Sequence, residues 1–173
     1  MGLYDGQTCF FVKPEMVKEV MEYTKDVNKY TFDLKKNIGL LKDFDTNTIY
    51  DLNIACYLLN KNIKDDLAIL MNQENISIPF YNEIVKNHEL VKDEVTYKAK
   101  FIYETREKYI DDLKADEMYE LFTDIELPLS TVLARMELNG IRCDKDILNA
   151  QATEIKTRID ELERDIHELC GVE

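Results

Sequence analysis

The sequence predicts an α/β N-terminal part followed by long α-helices, which makes the chain predominantly helical overall. Three observations lead there. Short β-favouring stretches alternate with helical periodicity as far as residue 72. From about residue 91 onward the pattern is helical. Residues 148 to 169 then repeat apolar side chains at alternating steps of four and three.

The elements follow in order. Asp5-Gly6 is a turn signal, and Thr8, Phe10, Phe11 and Val12 favour a hairpin strand that Pro14 stops. Pro14 suits the first turn of a helix in which Met16, Val17, Val20 and Met21 cover one face. "KYTF" is a short strand candidate, and "DLKKNIGLLKDF" a short helix with Leu34, Ile38 and Leu41 inward. "IYDLNIACYLLN" is apolar nearly all round, the pattern of a buried helix, and residues 63 to 72 give another short one. The strands read here are too few for an independently stable sheet, so the α/β core is expected to be partial. Val95, Tyr97, Ala99, Ile102 and Tyr109 ride on a long charged helix. A second long helix is expected from about Asp116 to Asn139, kinked or broken at Pro128. Gly140 stops it, Ile141 to Cys143 form a brief extended link, and Asp144 N-caps the last helix. There Leu148, Ala152, Ile155, Ile159, Leu162, Ile166 and Leu169 make one continuous seam, ended by Gly171.

Bulk composition narrows the class. An apolar fraction of 45% allows a packed core. A net charge of −13, with both signs interspersed, repels a phosphate backbone overall, so nucleic-acid contact has to be local. The four cysteines form no CxxC pair and there are two histidines, which gives a zinc site poor support. Isolated thiols, the lack of a signal-peptide pattern and the lack of a long apolar run point to a cytoplasmic protein with no membrane span.

The stretch from residue 126 carries the most specific pattern: Glu126-Leu127-Pro128-Leu129, Val132-Leu133, Met136-Glu137, Gly140-Ile141, Asp144, the heptad helix, then "LCGVE" from Leu169 to Glu173. Its order and spacing resemble the start of the polymerase part of bacterial family A DNA polymerases, the DNA polymerase I type. Upstream, Asp51 with Tyr57-Leu58-Leu59-Asn60, and "KDDLA" from Lys64 to Ala68, resemble the 3′–5′ exonuclease-like domain of the same enzymes. The resemblance implies a ribonuclease H-like partial domain over 1–115. Residues 116–173 would open the polymerase domain, with connecting helices and the base of the thumb. It implies that the sequence is a piece of a larger enzyme of DNA replication and repair. The remainder of the polymerase chain and a DNA primer-template would be the partners of the whole. Mg2+ would serve the full polymerase and no cofactor would belong to this piece. The exposed heptad helix is expected to favour self-association.

A two-metal exonuclease needs about four carboxylates converging on two ions. The family's first pair would lie upstream of residue 7. For the second carboxylate, Asn28-Lys29-Tyr30-Thr31-Phe32-Asp33 fits and offers Asp33 as the one metal candidate, with helix N-capping as its plainer role. For the third, the tyrosine candidate is Tyr97, and Phe101 stands where the resemblance expects an aspartate. Glu107, four after Tyr103, is the nearest substitute and needs a shift of nearly two turns. His88 and Asp93 match another exonuclease spacing but are read as lying before the long helix. The expectation is a vestigial exonuclease-like domain kept as scaffold. The rival readings are a free-standing metal-dependent 3′–5′ exonuclease and a helical adaptor dimerising through residues 144–170.

Overall fold

A computed structural model describes residues 1–41, 49–61, 66–80, 83 and 91–171. They divide into two compact units, Met1–Leu138 and Asn139–Glu173.

In the first unit, β1 (Gly2–Tyr4) and β2 (Cys9–Phe11) form an antiparallel hairpin with Leu3 opposite Phe10. Its turn is an Asx turn: Asp5 Oδ1 accepts the N–H groups of Gln7 and Thr8 at 2.8 and 2.7 Å, and Gly6 supplies φ 98°. Pro14–Met16 is a 3-10 turn leading into α1 (Val17–Tyr23). Val17, Val20 and Met21 of the expected face are half-buried, whereas Met16 is exposed in the turn. β3 (Tyr30–Thr31) precedes α2 (Leu34–Leu41), whose Leu34 and Ile38 point inward; the side chain of Leu41 lies outside the described residues.

The stretch read as one buried helix begins instead with a strand, β4 (Tyr50–Asp51), and only then becomes α3 (Leu52–Leu58). β4 pairs parallel with β3, Tyr30 opposite Tyr50 and Thr31 opposite Asp51. Tyr50 is β-favouring, and the pairing places its ring 5.9 Å from that of Tyr30 and 5.6 Å from that of Phe122. The described strands therefore form two two-stranded pairs. α4 (Leu67–Gln73) is capped by Asp66, which accepts the Ala68 N–H. Lys64 and Asp65, also part of the quoted upstream match, lie outside the described residues.

The long charged helix is α5 (Val91–Ala115). It buries Phe101, Ile102, Tyr109 and Leu113 against Leu52, Ala55 and Cys56 of α3 and Leu67, Ala68, Leu70 and Met71 of α4. The next helix starts at Tyr119 rather than Asp116, because α5 ends in a turn with Glu117 at φ 58° and the Met118 N–H on Leu113 O. Between α6 (Tyr119–Leu121) and α7 (Leu127–Asn139) lies a π-helical turn, Phe122–Glu126. This corrects the expected break at Pro128. The Leu127 N–H reaches back to Phe122 O, and the widened turn lets a residue without an N–H follow while the helical run continues.

In the second unit, Asp144 Oδ1 accepts the N–H groups of Asp146 and Ile147, and α8 (Lys145–Cys170) runs to Gly171 at φ 65°. None of its residues is buried.

Candidate functional site

The sequence candidates converge less than their spacing suggests. Asp33 sits between β3 and α2, 8% exposed, with φ 63°. Its Oδ1 accepts the Lys36 N–H at 3.1 Å, and its Oδ2 pairs with the Lys36 ammonium at 2.7 Å. That is a helix N-cap, the plainer of its two roles.

A second carboxylate lies beside it. Asp51, 1% exposed at the end of β4, aims Oδ1 at the Asp33 N–H (2.9 Å) and Oδ2 at the Leu34 N–H (2.6 Å). Oδ1 also accepts the Asn53 N–H at 2.9 Å and so caps α3. One carboxylate thus ties the starts of two helices together across the β3–β4 pair. Burial pushes the Asp51 carboxyl upward from its ordinary range, the three N–H bonds pull it down, and the nearby Asp33 adds to the upward push. The sequence quoted Asp51 as part of a resemblance and did not assign it this role. The available signal was an aspartate directly before an apolar helical run, the mark of an N-cap.

The helical candidates are elsewhere. Tyr97 on α5 is 59% exposed, and Phe101, one turn on, is 4% exposed within the main core. No hydrogen bond or ion pair joins Asp33 to Tyr97 or Tyr103 among the described residues. Tyr103 packs edge-on against Tyr4 and Tyr30, and the Arg106 guanidinium lies 3.9 Å from its ring centroid. Glu107 faces solvent and pairs with Arg106 at 3.3 Å. Asp93 lies in the first turn of α5, inside the helix rather than before it, and is exposed; His88 lies outside the described residues.

The donor set does not fit a two-metal centre. The Asp33 and Asp51 carboxylates are committed to backbone N–H groups and to Lys36, and Phe101 offers hydrocarbon. No group of three or more His, Cys, Asp or Glu side chains able to hold a metal occurs among the described residues. The same residues account for two helix starts and a packed core, which is a structural function.

No family model matches the chain. It is 28% identical over 189 residues to DNA polymerase I of Bacillus subtilis, covering 98% of this chain and 21% of that protein. It is likewise 28% identical over 191 residues to DNA polymerase I of Geobacillus stearothermophilus, covering 100% and 22%. Its curated homologues are bacterial DNA polymerases I. The Streptococcus pneumoniae DNA polymerase I is 27% identical over 183 residues, 99% of this chain and 20% of its own length. The chain therefore spans about a fifth of the DNA polymerase I relatives it matches. Both compact units fall within the matched length, so the likeness to DNA polymerase I extends beyond the joint at residues 126–144. Among the described residues no helix is long and apolar enough to cross a membrane.

Proposed function

We propose that this chain is the part of a DNA-directed DNA polymerase that joins a degenerate, ribonuclease H-like 3′–5′ exonuclease domain to the start of the polymerase domain, and that it acts as scaffold. The boundary near residue 115 and the roles of cytoplasmic replication and repair belong to the same reading. Alignment with DNA polymerase I along almost the whole chain supports the parentage. Loss of exonuclease chemistry rests on one observation above all: Phe101, where the third carboxylate is expected, is a core side chain. A phenyl ring cannot bind a cation, and the surrounding packing leaves a carboxylate there no solvent and no partner. Contact with a primer-template would come through the longer protein, because a net charge of −13 opposes backbone binding by this piece.

The test is degradation of a 3′-labelled single strand by the purified chain in Mg2+ or Mn2+, beside primer extension by the longer protein that contains it. No metal-dependent cleavage together with primer extension is the expected result. Cleavage abolished by Asp33→Ala would instead establish the free-standing exonuclease reading.

A further inference from the structure

Of the twelve asparagines in the chain, Asn139 is the one followed directly by glycine. In such a pair the next main-chain nitrogen can swing onto the side-chain amide carbon, because glycine has no side chain to block the approach and its backbone turns freely. The fold leaves this pair room. Asn139 is exposed as the last residue of α7, and residues 140–144 lie outside regular secondary structure. Gly140 has φ 65°, and apart from its chain neighbours no heavy atom of the described residues lies within 4 Å of where a Cβ would stand. Its nitrogen follows the final helical residue, where a helix frays first.

We infer that Asn139 is a self-modifying site, at which the Gly140 nitrogen attacks the side-chain amide and converts the residue to aspartyl and isoaspartyl forms. In the first step a bond forms between Gly140 N and Asn139 Cγ, and the Cγ–Nδ2 bond breaks. Ammonia leaves with the proton from Gly140 N, and a five-membered succinimide remains. Water then opens the ring. Attack at Cγ gives aspartate, and attack at the main-chain carbonyl gives isoaspartate, whose chain runs on through Cβ and Cγ. Water is the one reactant consumed, so the site needs no partner surface. Either product places a new negative charge in the last turn of α7, beside Glu137, where the helix dipole disfavours anions. The isoaspartyl form also lengthens the link to α8 by one methylene. The competing positions are held. Asp5-Gly6 can cyclise through the neutral acid, but hydrogen bonds from the Thr8 and Gln7 N–H groups hold the Asp5 carboxyl ionised, below its ordinary range. Asn149, followed by the small Ala150, lies inside α8, where the attacking nitrogen is tied into a helical hydrogen bond. This inference stands apart from the polymerase reading.

The test incubates the folded 173-residue chain in mildly alkaline buffer and follows every asparagine by peptide mass spectrometry. Trypsin releases Met136–Arg142, and electron-transfer fragmentation separates its aspartyl from its isoaspartyl form. The expected result is conversion at Asn139 ahead of the other eleven asparagines, with isoaspartyl present and ammonia released. Gly140→Ala should slow the conversion at least about tenfold, with helicity by circular dichroism unchanged. Asn139→Gln keeps the glycine and should stop it, because the longer side chain has to close a six-membered ring. In the converted chain, hydrogen exchange should quicken in the last turn of α7 and stay as it was in α5. Conversion in urea but none in the folded chain means that the helix end protects the amide, and overturns the inference. So does aspartate formed without isoaspartate, the mark of direct hydrolysis, or earlier conversion at another asparagine.

Discussion

Two aspartates separated by 18 positions show how position in the fold assigns different jobs to one side chain. Asp51 is the acceptor for three N–H groups, two of them on another helix start. Asp51→Ala leaves buried donors without partners and should cost about 3 kcal/mol in urea unfolding. Asp33→Ala should cost about 1 kcal/mol for a lost cap, plus the strain of alanine at φ 63°. Equal losses from the two variants would refute this division of labour. Cys56 gives a separate test. Burial pushes its thiol up to about 12, while Cys9, Cys143 and Cys170 are exposed. Three thiols should react with a maleimide in the native chain and the fourth only on unfolding. The sign of the pH effect follows from the raised value. Below the ordinary thiol range both states hold the proton and Cys56 gives no slope. From about pH 9 to 12 only the unfolded chain releases it, so stability falls as pH rises. Cys56→Ala should flatten that fall, which alkaline denaturation curves will show.

At the scale of elements, the hairpin sits against α5 more closely than a side chain allows. A Cβ on Gly2 would lie 2.1 Å from the Val95 carbonyl oxygen, and rigid backbone is what it would strike. Gly2→Ala should push the hairpin off α5 at a cost of about 1–3 kcal/mol. Faster hydrogen exchange in residues 2–11 and a lower Tm are expected; an unchanged Tm would refute the close contact. Local signals served well for helices. The Asp144 cap, the Gly171 stop and the α5 pattern depend on neighbours within a turn, so the sequence states them directly. They served poorly for β4, because a two-residue strand has no period of its own and exists through pairing with β3. Pro128 misled for a related reason: its missing N–H is accommodated by a π turn two to six residues earlier in packing that buries Phe122 and Leu127.

Across the whole molecule, stability is unevenly placed. α5 carries four fully packed apolar side chains and α8 carries none. At low protein concentration the amides of residues 101–113 should exchange slowest and those of residues 145–170 fastest, as hydrogen exchange with mass spectrometry will show. Placing a carboxylate at position 101 should not create exonuclease function. Phe101→Asp is expected to lose at least about 3 kcal/mol, through the cavity and the unpaired charge, without metal-dependent cleavage. Gain of cleavage with retained folding would show that the site is one residue from competence. The parts of the candidate site legible in the sequence were Asp33 as an N-cap and Phe101 as the wrong chemistry for a metal. Asp51 as the shared cap was not, since its partners Asp33 and Leu34 are 18 and 17 residues away. By itself the sequence determined most of the helices, the Asp144 cap, the Gly171 stop, the charge-flanked seam and the likeness to DNA polymerase I, because each is written in the residues themselves and not in contacts between distant segments. Only the tertiary structure decided that β4 exists, that Asp51 joins two helix starts and that Phe101 is core. Those outcomes depend on contacts between distant segments, whose energies no local pattern encodes.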